Sequence, residues 1–171
     1  IPRNAVRTLL RVPALADRVL PLSVYLTEES TLSPRHRQLL LLRTAWLTQS
    51  PALWATHADR ALASGLTDEE LIAVAEGPSL ERWDPFEDAL VGFADELFRN
   101  SSVTDETWAV LAERFDQLNL IDAVVTVADT TAQAILYNAL GVQLDEDAAT
   151  RLPVNEVAYR VVVPGRGPDL T

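Results

Sequence analysis

The segment SPRHRQLLLLRTAWLTQSPALWATHADRALA, residues 33–63, decides the fold because it contains two consecutive helices with the same start signal. Ser33-Pro34 and Ser50-Pro51 each place an N-cap serine before a proline at the first helical position. The spacing predicts helices over 35–47 and 51–63. Serine and proline together thus explain where both helices begin.

The predicted helices have apolar faces that indicate burial. Residues 39–42 are four leucines, and a helix that is apolar on most sides is normally buried. In the second helix, Leu53, Trp54, Ala58 and Ala61 recur at helical spacing. His57 falls on this apolar face and is therefore predicted to point inward.

The remainder of the chain also has helical patterns, and the predicted fold class is all-α. Gly65 ends the second helix, and Thr67 with Glu70 forms a capping box for the next one. Asp84 with Glu87 is predicted to form another box. Further helices are predicted to end near residue 99, to cover 108–115 and to cover 118–140, the last being the long apolar helix expected at the centre of the fold.

The two ends of the chain are predicted to form arms around this helical core. Pro13 and Pro21 interrupt the apolar N-terminal stretch, which predicts two or three short helical pieces. The β-prone tail is predicted to be an extended arm. The expected organisation is an N-terminal helical arm over 1–30, a core over 31–147 and a C-terminal tail over 148–171.

Composition excludes several classes of function. A chain of 171 residues suits one domain. Its net charge of −11 repels phosphate backbones and anionic lipids, so no nucleic-acid or membrane partner is expected. The absence of a bilayer-length apolar run favours a cytoplasmic location. Because the sequence contains no cysteine, disulfides, thiolate nucleophiles and Cys-ligated zinc are all excluded.

Several motifs in order along the chain resemble one known family. They are Leu42-Arg43-Thr44-Ala45-Trp46, the Trp54-x-x-His57 spacing, Gly65-Leu66-Thr67-Asp68-Glu69-Glu70, Trp83-Asp84-Pro85-Phe86-Glu87 and Asn138-Ala139-Leu140-Gly141-Val142. Together they resemble the carboxymuconolactone decarboxylase-like family, which includes alkyl hydroperoxidase D. The resemblance covers about residues 12–147. It implies an all-helical subunit that assembles as a trimer or hexamer, possibly a dimer, with a site for a small molecule near subunit contacts.

The resemblance also implies which positions would carry redox chemistry. In the peroxidase branch, a proton-relaying glutamate corresponds to Gln38, the two cysteines to Ser50 and Leu53, and a histidine to His57. Other branches carry a second histidine that corresponds to Thr131. Only His57 keeps the family's residue type, so this chain is a cysteine-free, divergent member in which thiol peroxidase activity is not expected.

The remaining candidate for chemistry is His57, whose intrinsic pKa suits general acid/base work. Trp54, one turn away, could form a wall for a substrate, and Gln38, Asp129 and Thr131 are the other predicted substrate-binding residues. A core histidine hydrogen-bonded to Asp129 or to a carbonyl is the structural alternative. No cofactor is predicted, and no metal is expected because the two histidines and scattered carboxylates do not form an evident ligand set. His36 is expected to be exposed to solvent.

Two functions from different classes remain open. The first is a cofactor-independent lyase, isomerase or cyclase that acts on a small organic substrate with His57 as acid/base. The second is a non-catalytic oligomeric binding or scaffold protein that retains the fold.

Overall fold

The computed structural model describes residues 1–79 and 81–145, and in that part of the chain it contains helices and no strand. The predicted all-α class is confirmed. The helices are α1 (Arg3–Leu9), α2 (Pro13–Val24), α3 (Pro34–Leu47), α4 (Pro51–Ala63), α5 (Asp68–Glu76), α6 (Pro85–Asn100), α7 (Asp105–Ala112) and α8 (Gln117–Ala139), with one π-helical turn at Tyr25–Glu29. The predicted tail over 148–171 lies outside the described residues. The division at residue 30 stays a prediction.

The start signals of α3 and α5 work as the sequence predicts. The Ser33 side chain accepts a hydrogen bond from the backbone N–H of His36. Thr67 and Glu70 form the reciprocal capping box at α5. Ser50 occupies the N-cap position of α4, but its side chain makes no cap hydrogen bond. Of the two predicted start signals of α4, only Pro51 at the first helical position therefore acts as expected.

The second predicted capping box, at α6, is only half formed. Asp84 accepts from the backbone N–H of Glu87 as expected. The Glu87 carboxylate instead binds Arg35, with Oε1 2.6 Å from Nε and Oε2 3.1 Å from Nη2. The prediction was wrong here because a bidentate, charge-assisted pair is stronger than a bond to a neutral backbone N–H. The contact fastens α6 to α3.

The N-terminal segment breaks at Pro13 but not at Pro21. Pro13 is the first residue of α2, whereas Pro21 lies inside the helix. Asp17 and Pro21 are both exposed, so the Asp17 carbonyl that loses its N–H donor can be hydrated. The predicted break at Pro21 was therefore wrong. The helix continues into the π-helical turn that follows it.

The central helix is α3, and not α8 as the sequence predicts. Leu39, Leu40 and Leu42 of α3 are completely buried. Helix α3 packs against α4, α5, α6 and α8, whereas α8 packs mainly against α3 and α6. Length and apolarity did not identify the centre because α8 exposes apolar side chains along one face. By length and composition alone α8 could cross a membrane, a property that core helices of soluble proteins share.

A buried ion pair joins α3 to α6. The Arg43 guanidinium binds the Asp95 carboxylate through Nε–Oδ1 at 2.5 Å and Nη2–Oδ2 at 2.9 Å. Its Nη1 donates to the carbonyl oxygens of Val74 and Ala75, at the end of α5. One guanidinium therefore ties together three helices, and its exposed side-chain fraction is only 5%.

Gly77 provides the first testable prediction. It follows α5 with φ +111° and ψ −159°, a backbone region essentially reserved for glycine. A Cβ at this position would lie 2.8 Å from Nη2 of Arg43. We expect Gly77→Ala to lower the free energy of unfolding by about 2–4 kcal/mol, from backbone strain and overpacking together. Urea denaturation measures this change.

Gly65 offers a matched control for that substitution. Its φ is +96°, but a Cβ there would meet nothing within 4 Å. Gly65→Ala thus reports backbone strain alone, about 1–2 kcal/mol. Equal losses for the two variants would show that crowding against Arg43 contributes nothing.

Candidate functional site

The centre of the candidate site is a pair of polar side chains on neighbouring helices. His57 lies in the second turn of α4, and Gln38 lies in the second turn of α3. Nδ1 of His57 is 3.1 Å from Oε1 of Gln38. Both side chains are buried, with exposed fractions of 5% and 3%. The structure therefore places His57 against Gln38, two positions that the resemblance in the sequence singled out.

This contact defines the state of the imidazole. An amide oxygen can only accept, so the assigned geometry puts the proton on Nδ1 and leaves the lone pair on Nε2. Burial, together with the smaller effect of nearby positive charges that include Arg60 and Arg37, lowers the pKa of His57 to about 3. His57 is consequently neutral at physiological pH, with Nε2 available to accept a proton or a hydrogen bond.

Two arginines make the surroundings of His57 electropositive. Arg37 directly precedes Gln38, and burial lowers the pKa of its guanidinium. The Arg37 Nε is buried and has no hydrogen-bond acceptor among the described residues. Arg60, three residues after His57, pairs with Glu28 at 3.3 Å near the surface. The positive charge of both arginines therefore acts on His57.

Trp54 lies one turn before His57 but belongs to the hydrophobic core. It is 1% exposed, and its ring meets that of Trp46 edge-on at a centroid distance of 5.8 Å. This packing holds the start of α4 against the end of α3. Its predicted role as a wall for a substrate stays a prediction.

Asp129 and Thr131 both lie on α8, and the side-chain hydrogen bonds described for them stay within that helix. The Gln133 amide donates to Asp129 Oδ2 at 2.5 Å, and the Tyr137 hydroxyl donates to Gln133 Oε1 at 2.9 Å. Burial raises the pKa of Asp129. The Thr131 hydroxyl bonds back to the carbonyl of Val127 at 2.8 Å. The structure thus brings Gln38 to His57, whereas Asp129 binds Gln133.

Asp122 has a structural role that the sequence did not reveal. Its carboxylate accepts from the Tyr25 hydroxyl at 3.1 Å, the Ser30 hydroxyl at 3.1 Å and the backbone N–H of Thr31 at 2.6 Å. These donors all lie in the segment between α2 and α3. The carboxylate therefore fastens that segment to α8. Only contacts more than 90 residues apart could have identified it.

His36 is half-buried, so its expected exposure to solvent was wrong. Its ring lies 5.1 Å from that of Phe86 and 5.6 Å from that of Phe115. Burial lowers its pKa. The sequence was misleading because both neighbours of His36 are arginines, while its packing partners come from α6 and from the loop after α7. Across the described residues, no cluster of histidine and carboxylate side chains could hold a metal ion.

The fold and the site together define a class: an all-helical protein with a buried histidine–amide pair and a cysteine-free sequence. Residues 13–96 match the model of the carboxymuconolactone decarboxylase family. Over this segment, which is just under half of the chain, the cysteine-free sequence is similar to the carboxymuconolactone decarboxylase family. The family resemblance seen in the sequence is confirmed.

Two solved structures have the same fold. A peroxidase-related protein from Silicibacter sp. TM1040 superposes with a TM-score of 0.75 at 12% identity, over 84% of this chain and 76% of that one. A second peroxidase-related protein with an alkylhydroperoxidase AhpD core, from Ralstonia eutropha JMP134, gives a TM-score of 0.71 at 17% identity, over 82% and 76%. No curated protein matches the chain in sequence. At these identities the structural likeness establishes the fold alone.

Proposed function

We propose that this protein is a cofactor-independent lyase, isomerase or cyclase that acts on a small organic substrate, with His57 as the acid/base. The observation that carries the proposal is the buried contact between His57 Nδ1 and Gln38 Oε1. It fixes the orientation of the ring and leaves Nε2 as a proton acceptor. The absence of cysteine removes the thiol chemistry of the peroxidase branch.

The low pKa of His57 favours a substrate that carries negative charge. A base with a pKa of about 3 is weak at neutral pH. An anion bound beside it would raise this pKa, because a nearby negative charge stabilises the imidazolium. Arg60 and Arg37 support such a ligand, since their positive charges already act on His57. We therefore infer that the substrate has a carboxylate or a comparable anionic oxygen group.

The alternative is a non-catalytic oligomeric binding or scaffold protein. It is favoured by the 5% exposure of His57, because a side chain that solvent barely reaches also explains a purely structural imidazole. For either function we propose a cytoplasmic location, which is consistent with the acidic, cysteine-free composition.

The second prediction tests the chemistry at His57. Carboxymuconolactone and a panel of small lactones and unsaturated carboxylates would be incubated with the protein and followed by liquid chromatography with mass spectrometry. Loss of CO2 would change the mass, and isomerisation would change the retention time at constant mass. On any substrate that turns over, we expect His57→Gln to lower kcat/KM by roughly 100-fold, the usual contribution of a positioned acid/base group. His36→Gln is the matched control, since it removes the other histidine and should leave turnover within a few-fold.

Two outcomes would favour the scaffold alternative. One is that no panel member is turned over and none raises the melting temperature of the protein. The other is turnover that His57→Gln leaves within a few-fold of the wild type, although both histidine variants are folded by circular dichroism.

A further inference from the structure

The exposed face of α8 has a strict pattern that the proposed chemistry does not use. From Leu118 onward every exposed residue of this helix is apolar. Leu118 is 61% exposed, Ile121 51% and Ile135 62%. With the half-exposed Val125, these positions form the α8 seam, consisting of Leu118, Ile121, Val125, Ala128, Ala132, Ile135 and Ala139.

The spacing along the α8 seam alternates between three and four residues over its whole length. This is the spacing of the a and d positions of a heptad repeat, maintained over three heptads. The opposite face of the helix repeats every seven residues at Ala123, Thr130 and Tyr137, all of which are buried. Helix α8 thus packs on its own core through one face and presents a coiled-coil face on the other.

The seam contains no charged residue, and its flanks carry two carboxylates, one buried and one half-buried. On one side lie Val124, Thr131 and Asn138, which are neutral. On the other side the Asp122 carboxylate is bound by the segment before α3, and the Asp129 carboxylate accepts from Gln133. A chain with a net charge of −11 therefore has one strip, roughly 32 Å long, whose seven seam positions are all apolar.

We propose that the α8 seam is an interface that pairs with the α8 seam of a second copy of this chain in an antiparallel, two-fold arrangement. An exposed apolar strip with heptad spacing fits another helix rather than a small ligand. A second copy suits it because two such acidic chains repel each other except through a neutral face. Antiparallel pairing also places opposite helix-dipole ends side by side.

The side-chain sizes along the α8 seam support the antiparallel register. Each a position can face a d position of the second copy, which gives Leu118 opposite Ile135, Ile121 opposite Ala132 and Val125 opposite Ala128. The two-fold axis repeats these layers, so six layers form from three kinds of contact. Large residues meet at the two ends, and large residues meet small ones towards the middle, so the helices can approach closely. A parallel pair would instead place each residue against its own copy.

The absence of cysteine makes this arrangement directly testable by disulfide cross-linking of the full chain. Leu118→Cys protein mixed with Ile135→Cys protein is expected to form a disulfide-linked dimer under mild oxidation. Each variant alone should cross-link at least five-fold less, because its own cysteines lie at opposite ends of the paired helices. Glu113→Cys, an exposed position at the end of α7, mixed with Ile135→Cys is the matched control and should not cross-link.

Sedimentation provides a second, independent measurement. The wild type is expected to be larger than 18.8 kDa at micromolar concentration, and Ile135→Arg should reduce its mass at the same concentration. Because Ile135 is 62% exposed, this variant should keep the circular dichroism of the wild type. A wild-type monomer, an unchanged mass for Ile135→Arg, or cross-linking of Leu118→Cys only with itself would each overturn the proposal. Flotation of a monomeric wild-type protein together with phosphatidylcholine vesicles would also overturn the proposal.

Discussion

Asp95→Asn is expected to lower the free energy of unfolding by about 3–5 kcal/mol. The substitution keeps the shape of the side chain but removes the carboxylate that neutralises the Arg43 guanidinium. The Arg43 side chain is 5% exposed, so water cannot replace the lost partner. Urea denaturation should show a lower transition midpoint with an unchanged slope.

The effect is large because, among the described residues, Asp95 is the one carboxylate that pairs with Arg43. Its Nη1 bonds to Val74 and Ala75 satisfy hydrogen-bonding capacity but carry no negative charge. The only other ion pair of Asp95 among the described residues is with Arg99, which is 63% exposed. Losing the carboxylate therefore leaves a buried guanidinium among dipoles alone.

Glu28→Gln is the matched control for the carboxylate-to-amide change. Glu28 pairs with Arg60, and the exposed side-chain fractions are 61% and 43%. An exposed pair of this kind contributes about 0–1 kcal/mol. Equal destabilisation by Asp95→Asn and Glu28→Gln would show that burial of Arg43 does not control its energetics.

The fold could be predicted from the sequence where the signal is local. Ser33, Thr67 and Asp84 each act on backbone groups two or three residues away, so the helix starts were visible in the chain. The sequence could not show that α3, and not α8, is the central helix. Apolar composition indicates that a helix needs to be buried, but it does not indicate how many other helices pack against that helix. The apolar side chains of α8 that stay exposed form the α8 seam.

The candidate site could be predicted only in part, for the same reason. Helical spacing correctly predicted that His57 points inward. The family resemblance singled out Gln38 as a position of interest. The contact between them joins two helices, and no periodicity within one helix can reveal it. Asp129 looked similar to Gln38 as a polar residue in an apolar helix, yet its neighbour is Gln133, one turn further along α8.

Burial of His57 is expected to make the free energy of unfolding decrease at low pH, and His57→Gln is expected to remove this contribution. The pKa of His57 is about 3 in the folded protein and near 6.5 in the unfolded chain. Between these values the unfolded state binds the proton and the folded state does not. Stability is therefore fully present above pH 6.5 and falls as the pH is lowered, by about 3 kcal/mol between pH 7 and pH 4.

His57→Gln isolates this contribution, because the amide keeps a polar side chain next to Gln38 but cannot titrate. Carboxylates lose their own contributions at low pH in both proteins, so the informative quantity is the difference between wild type and variant in the free energy of unfolding. From pH 7 to pH 4 we expect the free energy of unfolding of the wild type to fall by about 3 kcal/mol more than that of the variant. Urea denaturation at each pH measures both values. A difference that stays constant with pH would mean that His57 is solvated or charged in the folded protein. The buried neutral imidazole that supports the acid/base proposal would then be excluded.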